Sequence, residues 1–290
     1  MCADRFRSTI ASLLPRAVMS GILAGSLLAV SVQAAELVQT IATVKPAIVG
    51  IATYQKTRSP AVTFFGTGFA VDDGLTIVTN AHVVAKPVDA DKFETLGILV
   101  GNDDRSEFRS AQIIGVDREH DLARLRISGT PLPVLKLGDS TRVREGQTLA
   151  FTGFPLGMAL GFTKVTHKAM VSAITPVIRP ALNSGRLDPK SIQQLQKSAY
   201  GVFQLDGTAY PGNSGSPLYD IESGVVYGII NMVYVKGLKE SAISQPSGIT
   251  YAIQSNYMTE LLAQQASAVV APPVPTPQLP GAPAPLFQPH

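Results

Sequence analysis

The chain has 290 residues, 45% of them hydrophobic and 16% charged, with a formal charge of +3. That apolar content fills a sizeable core, in one large domain or two fused halves. No polybasic run and no interleaved basic–aromatic patch occurs, so nucleic-acid binding is not predicted. The only cysteine is Cys2, and His82, His120, His167 and His290 show no paired ligand spacing. No disulfide, metal or cofactor is therefore expected within one mature chain.

Residues 1–34 read as an export signal. Arg5, Arg7 and Arg16 form a positive front, an apolar segment runs from Ala17 to Val32, and Val32-Gln33-Ala34 supplies small residues for cleavage after Ala34. These arginines with Asp4 carry +2, which leaves the remainder at about +1. An uncleaved anchor is the alternative, because the apolar length is borderline for a span. Either way the folded part is expected outside the cytoplasm, in a periplasm or secreted, with no stable membrane insertion if the signal is cut.

Short apolar runs separated by turn signals make residues 37–138 β-rich. Pro46–Tyr54 and Gly66–Val71 read as strands, and Asp72-Asp73-Gly74 turns the chain into Leu75–Thr79. Asn80-Ala81-His82-Val83-Val84 follows, placing a histidine at a strand end where it suits a fixed general base. A hydrogen-bonded structural histidine is the plainer reading of His82 alone. Gln112–Asp117 is a further strand, and Asp121 stands at the entrance to Leu122–Ile127. Its carboxylate suits orienting His82, or a solvated turn. His120, beside it, points elsewhere and reads as structural or exposed.

Leu137–Ser140 begins a link to a second half over 139–265, with Asp139 as a turn residue. Gly146–Gly157, Val171–Ile174, Val225–Asn231 and Gly248–Ile253 supply its strands, His167 reads as an exposed strand residue, and Tyr257–Leu262 is apolar at helical spacing. Residues 176–200 form a long polar segment, either a gate or a tolerated surface loop. Pro211 and Gly212-Asn213-Ser214-Gly215-Ser216-Pro217 form a tight turn. Such a turn exposes a serine hydroxyl beside backbone N–H groups, as acyl transfer needs, and is also ordinary turn chemistry. From residue 266 to 290 the chain is Pro-rich and reads as a disordered tail.

Thr67-Gly68-Phe69, Thr79–Val84, His120-Asp121-Leu122-Ala123 and Gly212-Asn213-Ser214-Gly215 occur in the order His, Asp, Ser. That order distinguishes chymotrypsin-like chains, and the residues around each position resemble the bacterial HtrA (Deg) serine proteases from about Leu37 to Ala263. The resemblance implies an all-β fold of two six-stranded antiparallel β-barrels with short helices, one over about 37–138 and one over about 139–265. It implies an exported serine endopeptidase acting on unfolded or specific envelope proteins. His82, Asp121 and Ser214 are then catalytic, with the oxyanion held around Gly212, Asn213 and Ser214. Thr208 falls near the floor of the primary pocket and Ile230, Asn231 and Met232 near its walls. With no acid at Thr208, small or medium apolar side chains are expected there. Relatives often form trimers, so a homo-oligomer is an expectation by analogy; no PDZ module is expected. Ser216 stands where such enzymes usually have glycine, and Tyr210 where asparagine is common. A catalytically silent binding protein of the cell envelope, keeping the fold, is the alternative.

Overall fold

The computed structural model describes residues 37–86, 88–101, 106–157, 161–177, 200–231 and 248–264. The leader, the core of the 176–200 insertion, Met232 and the Pro-rich tail lie outside them.

Six strands close the first barrel: β1 (Ile48–Tyr54), β2 (Val62–Val71), β3 (Thr76–Asn80), β4 (Thr95–Val100), β5 (Glu107–Asp117) and β6 (Leu122–Ile127). Six more close the second: β7 (Thr148–Gly153), β8 (Val165–Val177), β9 (Tyr200–Asp206), β10 (Pro217–Asp220), β11 (Val226–Asn231) and β12 (Ile249–Gln254). Their orders are β1-β2-β3-β6-β5-β4 and β10-β11-β12-β9-β8-β7, antiparallel throughout. The all-β fold of two six-stranded barrels is therefore as the resemblance implies.

Inward side chains alternate along the strands, so each barrel fills with its own apolar set. Ile51, Ile77, Ile98 and Leu125 pack inside the first, and Leu149, Phe151, Phe203 and Leu205 inside the second, none measurably exposed. A third cluster joins the barrels through Ile48, Phe69, Phe154, Tyr219 and Ile229. Full burial of such a side chain contributes roughly 1.5–3 kcal/mol, so the seam where the two barrels meet is as firmly packed as either interior. A nine-residue helix, Ser255–Ala263, follows β12, buries Met258 and Leu261 and completes that seam.

Several strands run longer than their apolar cores. β2 begins at Val62, β5 at Glu107 and β8 at Val165, because pairing continues past the apolar residues. Three strands, β4, β9 and β10, have no counterpart in the sequence reading. The expected start of β1 at Pro46 is instead a 3-10 turn, Lys45–Ala47. His167 departs from its expectation as an exposed strand residue: its ring is half-buried and stacks on Phe151, centroids 4.9 Å apart. Burial without a partner charge holds its pKa below the usual imidazole value.

Candidate functional site

The site lies where the ends of β3 and β6 in the first barrel face β11 and the turn before β10 in the second. β3 and β6 pair with Asn80 opposite Leu122. That register sets the residue before β6, Asp121, against the turn after β3, Ala81–Val83, which carries His82. Two bonds fasten the join: the Asn80 side-chain amide and the Ala81 N–H both donate to the Asp121 carbonyl, at 3.2 and 3.0 Å.

The Asp121 carboxylate then holds His82 twice. Oδ1 accepts the His82 backbone N–H at 2.8 Å, and Oδ2 lies 2.6 Å from the ring Nδ1. An ionised carboxylate only accepts, so Nδ1 carries the proton and Nε2 is left with its lone pair free. Asp121 is nearly buried at 9% exposure and sits at φ 54°, in the left-handed region. Such strain in a non-glycine residue persists where its surroundings over-determine it. A third donor reaches Asp121 from the other barrel: Asn231 Nδ2, at 2.8 Å from Oδ2.

The same grip is repeated four residues earlier in the turn. Asp117 accepts the His120 N–H at 3.0 Å and lies 2.6 Å from its Nδ1. Burial pushes the Asp117 carboxyl up, and the His120 N–H, ring and charge more than reverse this, leaving it below its ordinary value. The His120 ring stacks on Tyr257, centroids 4.0 Å apart, and meets Tyr200 edge-on at 4.8 Å. Those contacts fit the structural reading of His120 rather than the exposed one.

Ser214 lies in the turn 211–216, which is locked against β2 and the loop after β7. Gly212 has φ 101° and Gly215 φ 89°, conformations that other residues resist. A Cβ on Gly212 would stand 2.2 Å from the Phe154 carbonyl oxygen, and one on Gly215 1.9 Å from that of Thr67. Thr67 is the clamp. Its N–H donates to the Ser214 carbonyl at 2.8 Å, and its hydroxyl donates to the Gly212 carbonyl at 2.7 Å. The Asn213 N–H is spent on the Tyr210 carbonyl at 2.9 Å. The N–H groups of Gly212 and Ser214, by contrast, donate to nothing among the described residues. Two undirected donors flanking a serine form the start of an anion site.

Ser214 is brought up to the His82 turn. The vacant Cβ position of Gly66 lies 3.0 Å from the Ser214 carbonyl oxygen and 2.9 Å from Val83, the residue after His82. No hydrogen bond joins His82 Nε2 to the Ser214 hydroxyl among the described residues.

The residues expected to line the primary pocket are dispersed. Thr208 is half-buried. Ile230 is fully buried in the second-barrel core, because its side chain points inward on β11. Asn231, next along the strand, points the opposite way and reaches Asp121 rather than a pocket. Met232 is outside the described residues. The sequence reading missed Asn231 as a partner of Asp121 and Thr67 as the clamp. Neither role shows in local spacing, since each bond spans more than a hundred residues.

Residues 66–229, more than half of the chain, match the family described as trypsin-like peptidase domain. A protein of Pseudomonas fluorescens named probable periplasmic serine endoprotease DegP-like is 38% identical over 172 residues, covering 59% of this chain and 30% of that relative. One of the same name from Halomonas elongata is 33% identical over 172 residues, with the same shares. The chain thus spans about a third of the length of these relatives. Among solved structures, HtrA-type protease AlgW with tripeptide aligns with a TM-score of 0.57 at 22% identity, covering 80% of this chain and 64% of that one. The Rv3671c protease from M. tuberculosis, active form, aligns at 0.57 and 21%, covering 80% of this chain and 86% of that one. These structural likenesses speak for the fold. No helix among the described residues is long and apolar enough to cross a membrane.

Proposed function

The chain belongs to the trypsin-like peptidase family, and from that premise we propose that it is an exported serine endopeptidase cutting peptide bonds in proteins of the cell envelope. His82, Asp121 and Ser214 are the catalytic residues. The observation that carries the reading is the double hold of Asp121 on the backbone N–H and Nδ1 of His82. It fixes one tautomer and one ring orientation, with Nε2 directed away from the carboxylate.

Ser214 attacks the substrate carbonyl carbon while His82 Nε2 takes its hydroxyl proton. The Asp121 charge stabilises the imidazolium that results. The carbonyl oxygen, now negative, is received by the N–H groups of Gly212 and Ser214, with Asn213 shaping the turn between them. One such donor is worth about 3 kcal/mol in the barrier. As the bond to the leaving amine breaks, His82 returns the proton to that nitrogen. Water then repeats the sequence on the acyl-enzyme.

Thr208 supports a primary pocket that takes small or medium apolar side chains, since no acid stands there to pair with Lys or Arg. Residues 1–34 act as the export signal, with cleavage after Ala34 and a periplasmic destination. The naming of the relatives as periplasmic supports this.

Fluorophosphonate labelling and casein hydrolysis test the activity. Both are expected in the mature chain and lost in Ser214→Ala. The silent binding protein is the second reading, favoured by the absence of a His82–Ser214 hydrogen bond. Catalytic contacts are often open in unliganded sites and tighten with substrate, so the activity reading stands ahead. A wild-type chain that neither labels nor cleaves would reverse that order.

A further inference from the structure

A pocket of about 420 Å³ opens beside His82, lined by residues of the first barrel. Its wall brings together His82 and Val84 after β3, Ile113 and Val116 on β5, and Arg118 and Asp121 from the turn between β5 and β6. Ile113 and Val116 are 44% and 42% exposed, so both offer apolar surface to the pocket. A bulge in β5 between Ile113 and Gly115 brings both to the same side.

Arg118 lines this pocket beside the aliphatic side chains. It is exposed and makes no hydrogen bond or ion pair among the described residues. The acids nearby do not answer its charge. Asp121 is turned inward, with its oxygens taken by His82 and Asn231. Asp117 is held by His120. Glu119 is exposed and is not part of the wall. The result is a mixed wall of aliphatic side chains and polar groups with one unmatched guanidinium, next to the His82 ring.

Resting on the peptidase reading above, we propose that this pocket is a substrate subsite in which Arg118 selects a carboxylate side chain near the cut bond. His82 works within hydrogen-bond reach of that bond. Successive Cα atoms are about 3.8 Å apart. A side chain lodged against His82 therefore belongs to a residue one or two positions from the cut. Glutamate fits the pocket better than aspartate: its methylenes cover Ile113 and Val116 while its carboxylate meets the planar fork of Arg118. The chain would thus read two features of a substrate, an apolar residue in the primary pocket and an acid beside it.

The test is a set of quenched peptides differing only by Glu, Gln or Lys at each position flanking the cut. In the wild-type chain kcat/KM is expected to favour Glu over Gln at one position by about fivefold at low salt, the upper end for a partly exposed ion pair. Raising the salt should shrink that ratio. Arg118→Gln should bring the ratio to about one, and Arg118→Glu should turn the preference toward Lys. A ratio near one in the wild type at low salt, or one that ignores both salt and Arg118, would overturn the subsite. Fluorophosphonate labelling of Ser214 in the same samples separates the two claims. A labelled wild type with a flat profile removes the subsite and leaves the peptidase. Absence of both labelling and cleavage removes both.

Discussion

Asn231, at the end of β11 in the second barrel, donates its side-chain amide to Asp121 in the first, at 2.8 Å from the oxygen that also meets His82 Nδ1. The residue that holds the His82 ring is thus itself held from across the seam. A hydrogen bond to a charged group contributes about 1.5–3 kcal/mol. Asn231→Ala is expected to lower kcat by about tenfold or more, with little change in KM, because only the base loses its support. Asn231→Asp should do worse, since it sets a second carboxylate against the first. Steady-state kinetics on one peptide decides this; wild-type kcat in Asn231→Ala would mean that Asp121 needs no help from the second barrel.

Thr67 ties the serine turn to the first barrel with its hydroxyl as well as its backbone. Its Oγ1 donates to the Gly212 carbonyl at 2.7 Å and accepts the Phe154 N–H at 3.2 Å. Thr67→Val keeps the shape and removes both bonds. Leaving buried groups unpaired costs about 1–3 kcal/mol, so denaturant unfolding should show that loss. Fluorophosphonate labelling of Ser214 should slow with it, as the oxyanion donors drift. Thr67→Ser retains both bonds and should restore the labelling rate.

How much of this was legible in the sequence follows from how local each signal is. The β-rich class, and strands such as Leu122–Ile127, show in short apolar runs that need no partner to be read. His82, Asp121 and Ser214 stand out because each sits in its own recognisable turn, and their order along the chain adds a constraint. β4 escaped because Thr95–Val100 carries no alternation: Gly97, Ile98 and Leu99 are buried in a row, with less buried residues at either end. The pocket residues escaped for a different reason. Whether Ile230 or Asn231 faces the site is a matter of strand phase, and a shift of one residue exchanges the faces. Thr67 and Asn231 act across the seam, and only the closed barrels bring them to their partners.

Gly215 has no tolerable substitute. At φ 89° its added Cβ would lie 1.9 Å from the Thr67 carbonyl oxygen. The backbone there is part of the clamp and has nowhere to yield. Gly215→Ala is expected to cost more than about 3 kcal/mol, combining strain and overlap. Poor recovery of soluble protein, or a large drop in melting temperature, is the expected reading. A soluble, fully labelled Gly215→Ala chain would show that the serine turn is looser than its geometry.

Acid sensitivity should be traceable to Glu94. Its carboxylate accepts the Thr53 hydroxyl at 2.6 Å, the Asp89 N–H at 3.0 Å and Arg58 at 2.6 Å. The Thr53 bond first, then the Asp89 N–H and Arg58, lower its pKa from 4.5 to about 2. A carboxyl depressed in the folded state binds a proton more readily when unfolded. Its contribution is therefore present above pH 4.5 and is lost as the pH falls toward 2. Glu94→Gln should lower the melting temperature at pH 7, with the gap to wild type closing over that interval. A gap independent of pH would assign the effect to packing instead.

Ser216, one residue past the turn glycine, is fully buried, and its hydroxyl has no partner among the described residues. The space it fills exists because residue 153 is glycine: a Cβ there would lie 1.9 Å from Ser216 Oγ. The two positions should therefore behave as one unit. Ser216→Ala removes an unpaired buried hydroxyl and is expected to leave stability unchanged or slightly raised. Gly153→Ala forces the Cβ onto that oxygen and should cost about 1–3 kcal/mol. Combining Gly153→Ala with Ser216→Gly should recover part of the loss. Recovery stays partial because Thr67 Oγ1 and Asn213 Oδ1 also stand 2.9 Å from the same Cβ position. A double-mutant cycle by denaturant unfolding measures the coupling, expected at about 1 kcal/mol or more. Strict additivity would mean that the hydroxyl turns aside at no cost, and that glycine at 153 answers to Thr67 and Asn213 alone.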